Sequence, residues 1–121
     1  MSSSKNQPFL ARLRFAWAGI VHGIRAEHSV RFHVVALGLV LVALVVFRPE
    51  PLWWALVILT SAAVIAAELF NTALEHLADH LHPEIHPSIR IVKDCAAGAV
   101  LVCSLAALAV AAAFVVHLTI R

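Results

Sequence analysis

Residues 52–79 read LWWALVILTSAAVIAAELFNTALEHLAD, and the way this stretch changes character along its length decides the fold. From Leu52 to Ala67 no residue is charged, and only Thr60 and Ser61 interrupt the apolar side chains. Continued to about residue 70, such a run is long enough to cross a hydrocarbon layer of about 30 Å. The pattern then switches. At about 100° per residue, Glu68, Asn71, Glu75 and Asp79 fall within roughly 80° of arc, while Phe70, Ala73, Leu74 and Leu77 cover the opposite side. One helix therefore carries an apolar span and then an acidic stripe. Glu68 stands at the boundary, where a carboxylate left in lipid costs on the order of 2–3 kcal/mol, so it is expected to face a protein cleft or a cation.

Working outward, two further apolar blocks flank this one, at about residues 32–47 and 95–118. The first two are joined by Arg48-Pro49-Glu50-Pro51, whose prolines end one helix and open the next, with Trp53 and Trp54 at the level of interfacial aromatics. Before them, Phe9, Leu13, Trp17, Ile20 and Ile24 recur at helical spacing, with Arg14, His22 and Arg25 on the other side. This pattern predicts an amphipathic surface helix over about 9–28, and within it Gly19 and Gly23 form a GxxxG that chance spacing explains as well as packing. The polar lead from Met1 to Pro8 lacks the apolar core of a secretory signal and is read as mobile and uncleaved.

Composition agrees with this reading. The 121 residues are 62% hydrophobic and 13% charged, with a mean hydropathy of +0.92 and a net charge of +2, which excludes a soluble globular domain and a disordered chain. Lys5, Arg12, Arg14, Arg25 and Arg31 precede the first span and Arg90 and Lys93 the third, whereas the hairpin contributes only Arg48. That asymmetry predicts a cytoplasmic N-terminus and an external C-terminus, with all the clustered charges facing the cytoplasm. Cys95 and Cys103, about 12 Å apart along one helix, are too distant to bridge. The expected fold is an all-α membrane protein of one domain, 1–121. Three spans alone bury little, and the alanine-rich third span offers a close-packing surface, so an oligomer is expected.

Carboxylates and an amide oxygen are hard ligands. They suit Mg²⁺, which typically takes only one or two protein carboxylates and completes its shell with water and phosphate oxygens. Glu27, at the end of the surface helix, and Glu75 match that demand, and Lys93-Asp94 opens the third span at the same level. A lysine there would offset phosphate charge, and a carboxylate at the membrane boundary could deprotonate an incoming hydroxyl. No GxxxxGK[ST] is present, and four glycines cannot build a glycine-rich phosphate loop. The pattern alone stops at a divalent-cation site. A rival reading takes His76, His80, His82 and His86 as a zinc or nickel site, but His76 and His80 lie off the acidic stripe and no cysteine is near in sequence. His33 and His117 flank spans and are read as interfacial.

The segments Ala67 to Glu75 (AELFNTALE), Pro83-Glu84-Ile85-His86-Pro87 and Lys93 to Val100 (KDCAAGAV) together resemble the small bacterial integral-membrane diacylglycerol kinases and undecaprenol kinases. The resemblance runs from about Ala16 onward. It implies a homotrimer of three-span subunits with active sites shared between subunits, in the bacterial inner membrane. Each subunit would move the γ-phosphate of ATP onto a lipid alcohol at the cytoplasmic interface. It implies Glu68 as general base, Glu27 and Glu75 as the residues that hold Mg²⁺ with the nucleotide, and Asn71 within the same site. Glu84, His86, Lys93 and Asp94 are implied to contact ATP. Two positions depart from the pattern: Ile85 stands where the family usually has tyrosine, and Phe15 where the diacylglycerol branch has one. Residues 83–87 and KDCAAGAV look closer to the undecaprenol branch, although the tail-contacting positions are generic and leave the acceptor open. The alternative from another class is a non-catalytic cation-binding accessory protein or small transporter. It would show cation binding or flux without ATP turnover, yet the spans offer only Thr60, Ser61 and Ser104 as midplane polar groups.

Overall fold

The computed structural model describes residues 6–120; the first five residues of the polar lead, Lys5 among them, and Arg121 lie outside the described residues. The described chain is all-helical: α1 Phe9–Ala26, α2 His28–Phe47, α3 Pro51–Leu81 and α4 Pro87–Ile120. The last three are long and apolar enough to cross a membrane. At about 1.5 Å per residue, the 20 residues of α2 reach about 30 Å, whereas the 31 of α3 and 34 of α4 reach about 46 and 51 Å. The expected spans at 52–70 and 95–118 are thus the apolar parts of longer helices. Their overhangs carry the acidic stripe on α3 and Lys93-Asp94 on α4.

The first helix, α1, ends two residues earlier than its periodicity suggested, and α2 begins at His28 rather than about 32. A single extended residue, Glu27 (φ −114°, ψ 121°), makes the break. Its N–H donates to the Gly23 carbonyl at 2.9 Å and its own carbonyl accepts the Arg31 N–H at 3.2 Å, so it closes α1 and opens α2. Arg31 Nη1 donates to the carbonyls of Ile24 and Arg25, both at 2.9 Å, satisfying groups that a helix C-terminus leaves orphaned. No glycine or proline is needed at this corner, because the guanidinium does the capping.

At the other end of the bundle the chain reverses through residues 48–50. Arg48 takes the left-handed conformation (φ 48°, ψ 56°), and its N–H caps α2 on the Leu44 carbonyl at 2.9 Å. Pro51 occupies the first position of α3, as the sequence suggested. A core of Leu44, Val57 and Phe114 fills this end. The half-buried Trp53 ring lies 5.4 Å from Phe114 and 5.2 Å from His117, so these rings pack together at the hairpin end.

Elsewhere α3 packs most extensively on α4. Ala78 and Ala96 are buried, and such small side chains allow the close approach of two helices. Much apolar surface stays uncovered, including Leu39, Val42, Leu59, Leu101 and Leu108. The accessible surface is 8823 Å², against about 6,400 Å² expected for a compact soluble chain of this mass. The excess is what a lipid layer or further subunits would cover. Cys95 and Cys103 are both free thiols.

Candidate functional site

Burial along the acidic stripe falls steadily from the membrane boundary outward. Glu68 is buried at 5% exposure, Asn71 and Glu75 are half-buried, and Asp79 is exposed. From Glu68 to Asp79 the stripe rises about 16 Å along α3. Its two ends meet different helices.

At the buried end, Glu68 Oε1 lies 3.3 Å from Nε2 of His33 on α2. His33, expected only as an interfacial flank, is therefore the one side chain paired with the Glu68 carboxylate among the described residues. Periodicity could not reveal this, because the partner sits on another helix. Thr72, one turn on, is also buried, and its hydroxyl donates to the Glu68 carbonyl at 3.0 Å, which removes a polar group from competition for the carboxylate. Between them, the Asn71 side-chain oxygen is buried with no hydrogen-bond partner, an acceptor held ready in a place where unpaired acceptors are costly.

At the exposed end, Lys93 Nζ donates to Asp79 Oδ1 at 2.6 Å, joining α4 to α3. Lys93 lies on the aqueous overhang of α4, ahead of the apolar run. This hydrogen bond is the main reason its pKa is raised, with the Asp79 charge and that of Glu75 adding to it. Lys93 therefore stays cationic at neutral pH, beside Glu75. Asp79, which the stripe included without a role, is the residue that holds Lys93 in place.

Of the other candidates, Glu27 sits at the α1–α2 corner, half-buried, and Asp94 is exposed. Glu84 and His86 lie in the exposed segment between α3 and α4. His86 opens α4: its carbonyl accepts the Arg90 N–H at 2.9 Å, and its Nδ1 accepts the Ser88 N–H at 3.1 Å. It is an imidazole N-cap, with Pro87 at the first helical position, and that proline was a readable signal for the cap. Among the described residues no group of three or more His, Cys, Asp or Glu side chains converges as a metal cage. The His76–His80 spacing is resolved differently: His76 meets His22 of α1 at 5.3 Å between ring centroids, and His82 meets His86 at 5.3 Å. The buried, unpartnered Asn71 oxygen and the half-buried Glu75 carboxylate one turn on are hard oxygen donors of the kind that Mg²⁺ takes.

α1 and α3 line a mainly apolar, open cavity of about 350 Å³, with Ala16, Gly19 and Gly23 on one side and Leu69, Thr72 and Ala73 on the other. Gly23 makes the approach possible, since a Cβ there would come within 2.6 Å of Leu69 Cδ2. Gly19 has nothing within 4 Å, so only one of the two glycines serves packing within the chain. A second cavity of about 300 Å³, by Arg48, Pro49, Glu50 and His117, lies at the hairpin end, away from the stripe.

Residues 14–115 match the family described as prokaryotic diacylglycerol kinase. The chain is 37% identical over 102 residues to a diacylglycerol kinase of Synechocystis sp., a match covering 84% of this chain and 58% of that protein. It is 34% identical over 87 residues to an undecaprenol kinase of Bacillus subtilis, covering 72% of this chain and 71% of that one. The aligned region thus spans less than two thirds of the Synechocystis protein. Both relatives are named as kinases. On the family match and both identities, this chain belongs to the prokaryotic diacylglycerol kinase family.

Proposed function

We propose that this protein is an ATP- and Mg²⁺-dependent lipid kinase that transfers the γ-phosphate of ATP to a membrane lipid alcohol, diacylglycerol or undecaprenol, at the cytoplasmic face of the bacterial inner membrane. The observation that carries the reading is Glu68: a buried carboxylate at the point where the apolar run of α3 ends, paired with one histidine, with its chain neighbour Leu69 lining an apolar cavity between α1 and α3. A lipid can stay in the bilayer with its tail between helices while its hydroxyl reaches that carboxylate. Nucleotide reaches the same level from water, along the exposed end of the stripe.

In the proposed reaction Glu68 accepts the hydroxyl proton through the oxygen that His33 leaves free. The hydroxyl oxygen bonds to the γ-phosphorus, the bond from that phosphorus to the β–γ bridging oxygen breaks, and ADP leaves. Lys93, held by Asp79, offsets negative charge on the phosphates. Glu27 and Glu75 are the residues proposed to hold Mg²⁺, with Asn71 in the same site. When bound, that ion supplies charge stabilisation for the transferring group. Asp94, Glu84 and His86 are proposed to contact the nucleotide. The uncovered apolar faces and the excess surface support a homotrimer with shared sites, and the apolar side of α1, with Phe9, Leu13 and Trp17 exposed, supports a helix lying on the membrane surface.

The test is Mg²⁺-dependent transfer of labelled γ-phosphate by purified protein in mixed micelles, with diacylglycerol and undecaprenol offered separately. Glu68→Gln should abolish transfer, a loss of at least about a hundredfold for removal of a general base, and leave the oligomer intact. Near-normal turnover in that variant removes Glu68 from the mechanism. Transfer to neither lipid by folded wild-type protein overturns the kinase reading.

A further inference from the structure

The segment between α3 and α4, residues 82–86, is short and exposed, yet its hydrogen bonds leave little freedom in how it presents its side chains. His82 Nδ1 lies 2.9 Å from the Glu84 carbonyl oxygen. A carbonyl only accepts, so Nδ1 of His82 carries the proton and donates it. His86 has the opposite assignment. Its Nδ1 accepts the Ser88 N–H at 3.1 Å, so the proton of the neutral ring sits on Nε2, on the side away from the helix it caps. The His82 ring meets the His86 ring edge to face, with centroids 5.3 Å apart and planes at 61°. One side chain, His82, thus holds both the Glu84 backbone and the His86 ring.

We propose that His82 is a positioning residue for the nucleotide: it presets the loop so that His86 offers a single Nε2–H donor, and Glu84 its carboxylate, in one orientation before ATP arrives. This rests on the nucleotide reading of Glu84 and His86 given above. His82 has no catalytic part. A donor that is already oriented and already in the right tautomer loses less freedom on binding, so the effect belongs in nucleotide affinity. An asparagine at the same position carries an amide N–H close to where the histidine Nδ1–H lies, and it can restore the bond to the Glu84 carbonyl without the ring.

The experiment compares wild type, His82→Ala and His82→Asn, full-length and reconstituted, by steady-state kinetics with ATP and lipid varied separately and by ¹⁵N NMR of the histidine rings. Loss of one ordering hydrogen bond should raise KM for ATP about five-fold in His82→Ala, with kcat and the lipid KM unchanged, and His82→Asn should recover most of it. The His86 ring should keep the Nε2–H form that the Ser88 N–H imposes in all three proteins, while its ring signals, set by the edge-to-face His82 ring, should shift in His82→Ala. An unchanged ATP KM in His82→Ala, in a wild type that does use ATP, overturns the proposal and leaves the kinase reading standing. A fall in kcat, or a rise in the lipid KM, likewise refutes a role confined to the nucleotide. A wild type that neither binds nor uses ATP removes the kinase reading itself, and the positioning role with it. His86 ring signals unmoved in His82→Ala refute the preset loop whatever the kinetics show.

Discussion

Glycine 23 and glycine 19 are one helical turn apart on α1, and replacing each with alanine separates packing from helix propensity. Gly→Ala inside a helix is favourable by about 0.8–1.0 kcal/mol, and this term is shared by both variants. At Gly19 a Cβ meets nothing within 4 Å, so Gly19→Ala should be neutral or stabilising. At Gly23 the Cβ would lie 2.6 Å from Leu69 Cδ2, and ordinary contact begins at 3.4 Å, so the leucine end must move by 0.8 Å. Overpacking of that kind typically costs about 1–3 kcal/mol, and because the clashing atom ends a flexible side chain the lower half of the range applies. The propensity terms cancel in the comparison, leaving Gly23→Ala less stable than Gly19→Ala by about 1–2 kcal/mol. Amide hydrogen exchange on protein in lipid nanodiscs reads this directly: backbone protection over residues 19–26 should fall by about five- to thirty-fold in Gly23→Ala relative to Gly19→Ala. Since Leu69 adjoins Glu68 and lines the same cavity, lipid-kinase turnover should fall in Gly23→Ala and stay near wild type in Gly19→Ala. Equal protection in the two variants would refute the Gly23–Leu69 contact as what holds α1 on α3.

Two further predictions concern the exposed half of the stripe. Glu75→Gln should raise the Mg²⁺ concentration for half-maximal transfer by about tenfold, the loss of one charged oxygen ligand, and an unchanged Mg²⁺ titration would remove Glu75 from the metal site. Asp79→Asn removes the largest cause of the raised Lys93 pKa, so Lys93 should titrate at lower pH in the variant, as read by NMR of its ammonium group. The sign follows from the raised value: the pair's contribution is fully present below the ordinary lysine pKa of 10.5 and is lost only as pH rises through the folded value. Between about pH 6 and 9 this pair should therefore contribute no step to stability or activity, and a Lys93 titration unmoved by Asp79→Asn would refute the bond as its cause.

What could be read from the sequence here was whatever repeats along one helix. The apolar runs located the three spans, and the 68, 71, 75, 79 spacing placed the acidic groups on one face of α3, because both are properties of a single helix with a known period. Contacts between helices were not legible in that way. His33 meets Glu68 across 35 residues of chain, and Lys93 meets Asp79 across 14, and in neither case does local spacing say which of several nearby histidines or carboxylates will be the partner. The Glu27 corner was placed within a residue or two by its charge. Its mechanism was hidden, because the carbonyls at the end of α1 are capped from the next helix by Arg31 rather than by a glycine.

Under the proposed function the site has to work as a boundary. A lipid hydroxyl and a nucleotide cannot share a solvent, so the chain has to bring the reacting group to a level where hydrocarbon ends and water begins. Along α3 that level is marked by Glu68, buried with apolar residues on its membrane side, followed within one turn by the unpaired Asn71 oxygen and then by the half-buried Glu75 and the exposed Asp79. Moving the carboxylate one turn toward Val64 would place it in the spans, where an ionised group costs on the order of 2–3 kcal/mol, and one turn outward would put it beyond the reach of a hydroxyl anchored in the bilayer. Glu68 stands at the position along α3 that satisfies both constraints, and the overhangs of α3 and α4 beyond the membrane thickness provide the surface on which Lys93 and the His82–His86 loop can meet the phosphates.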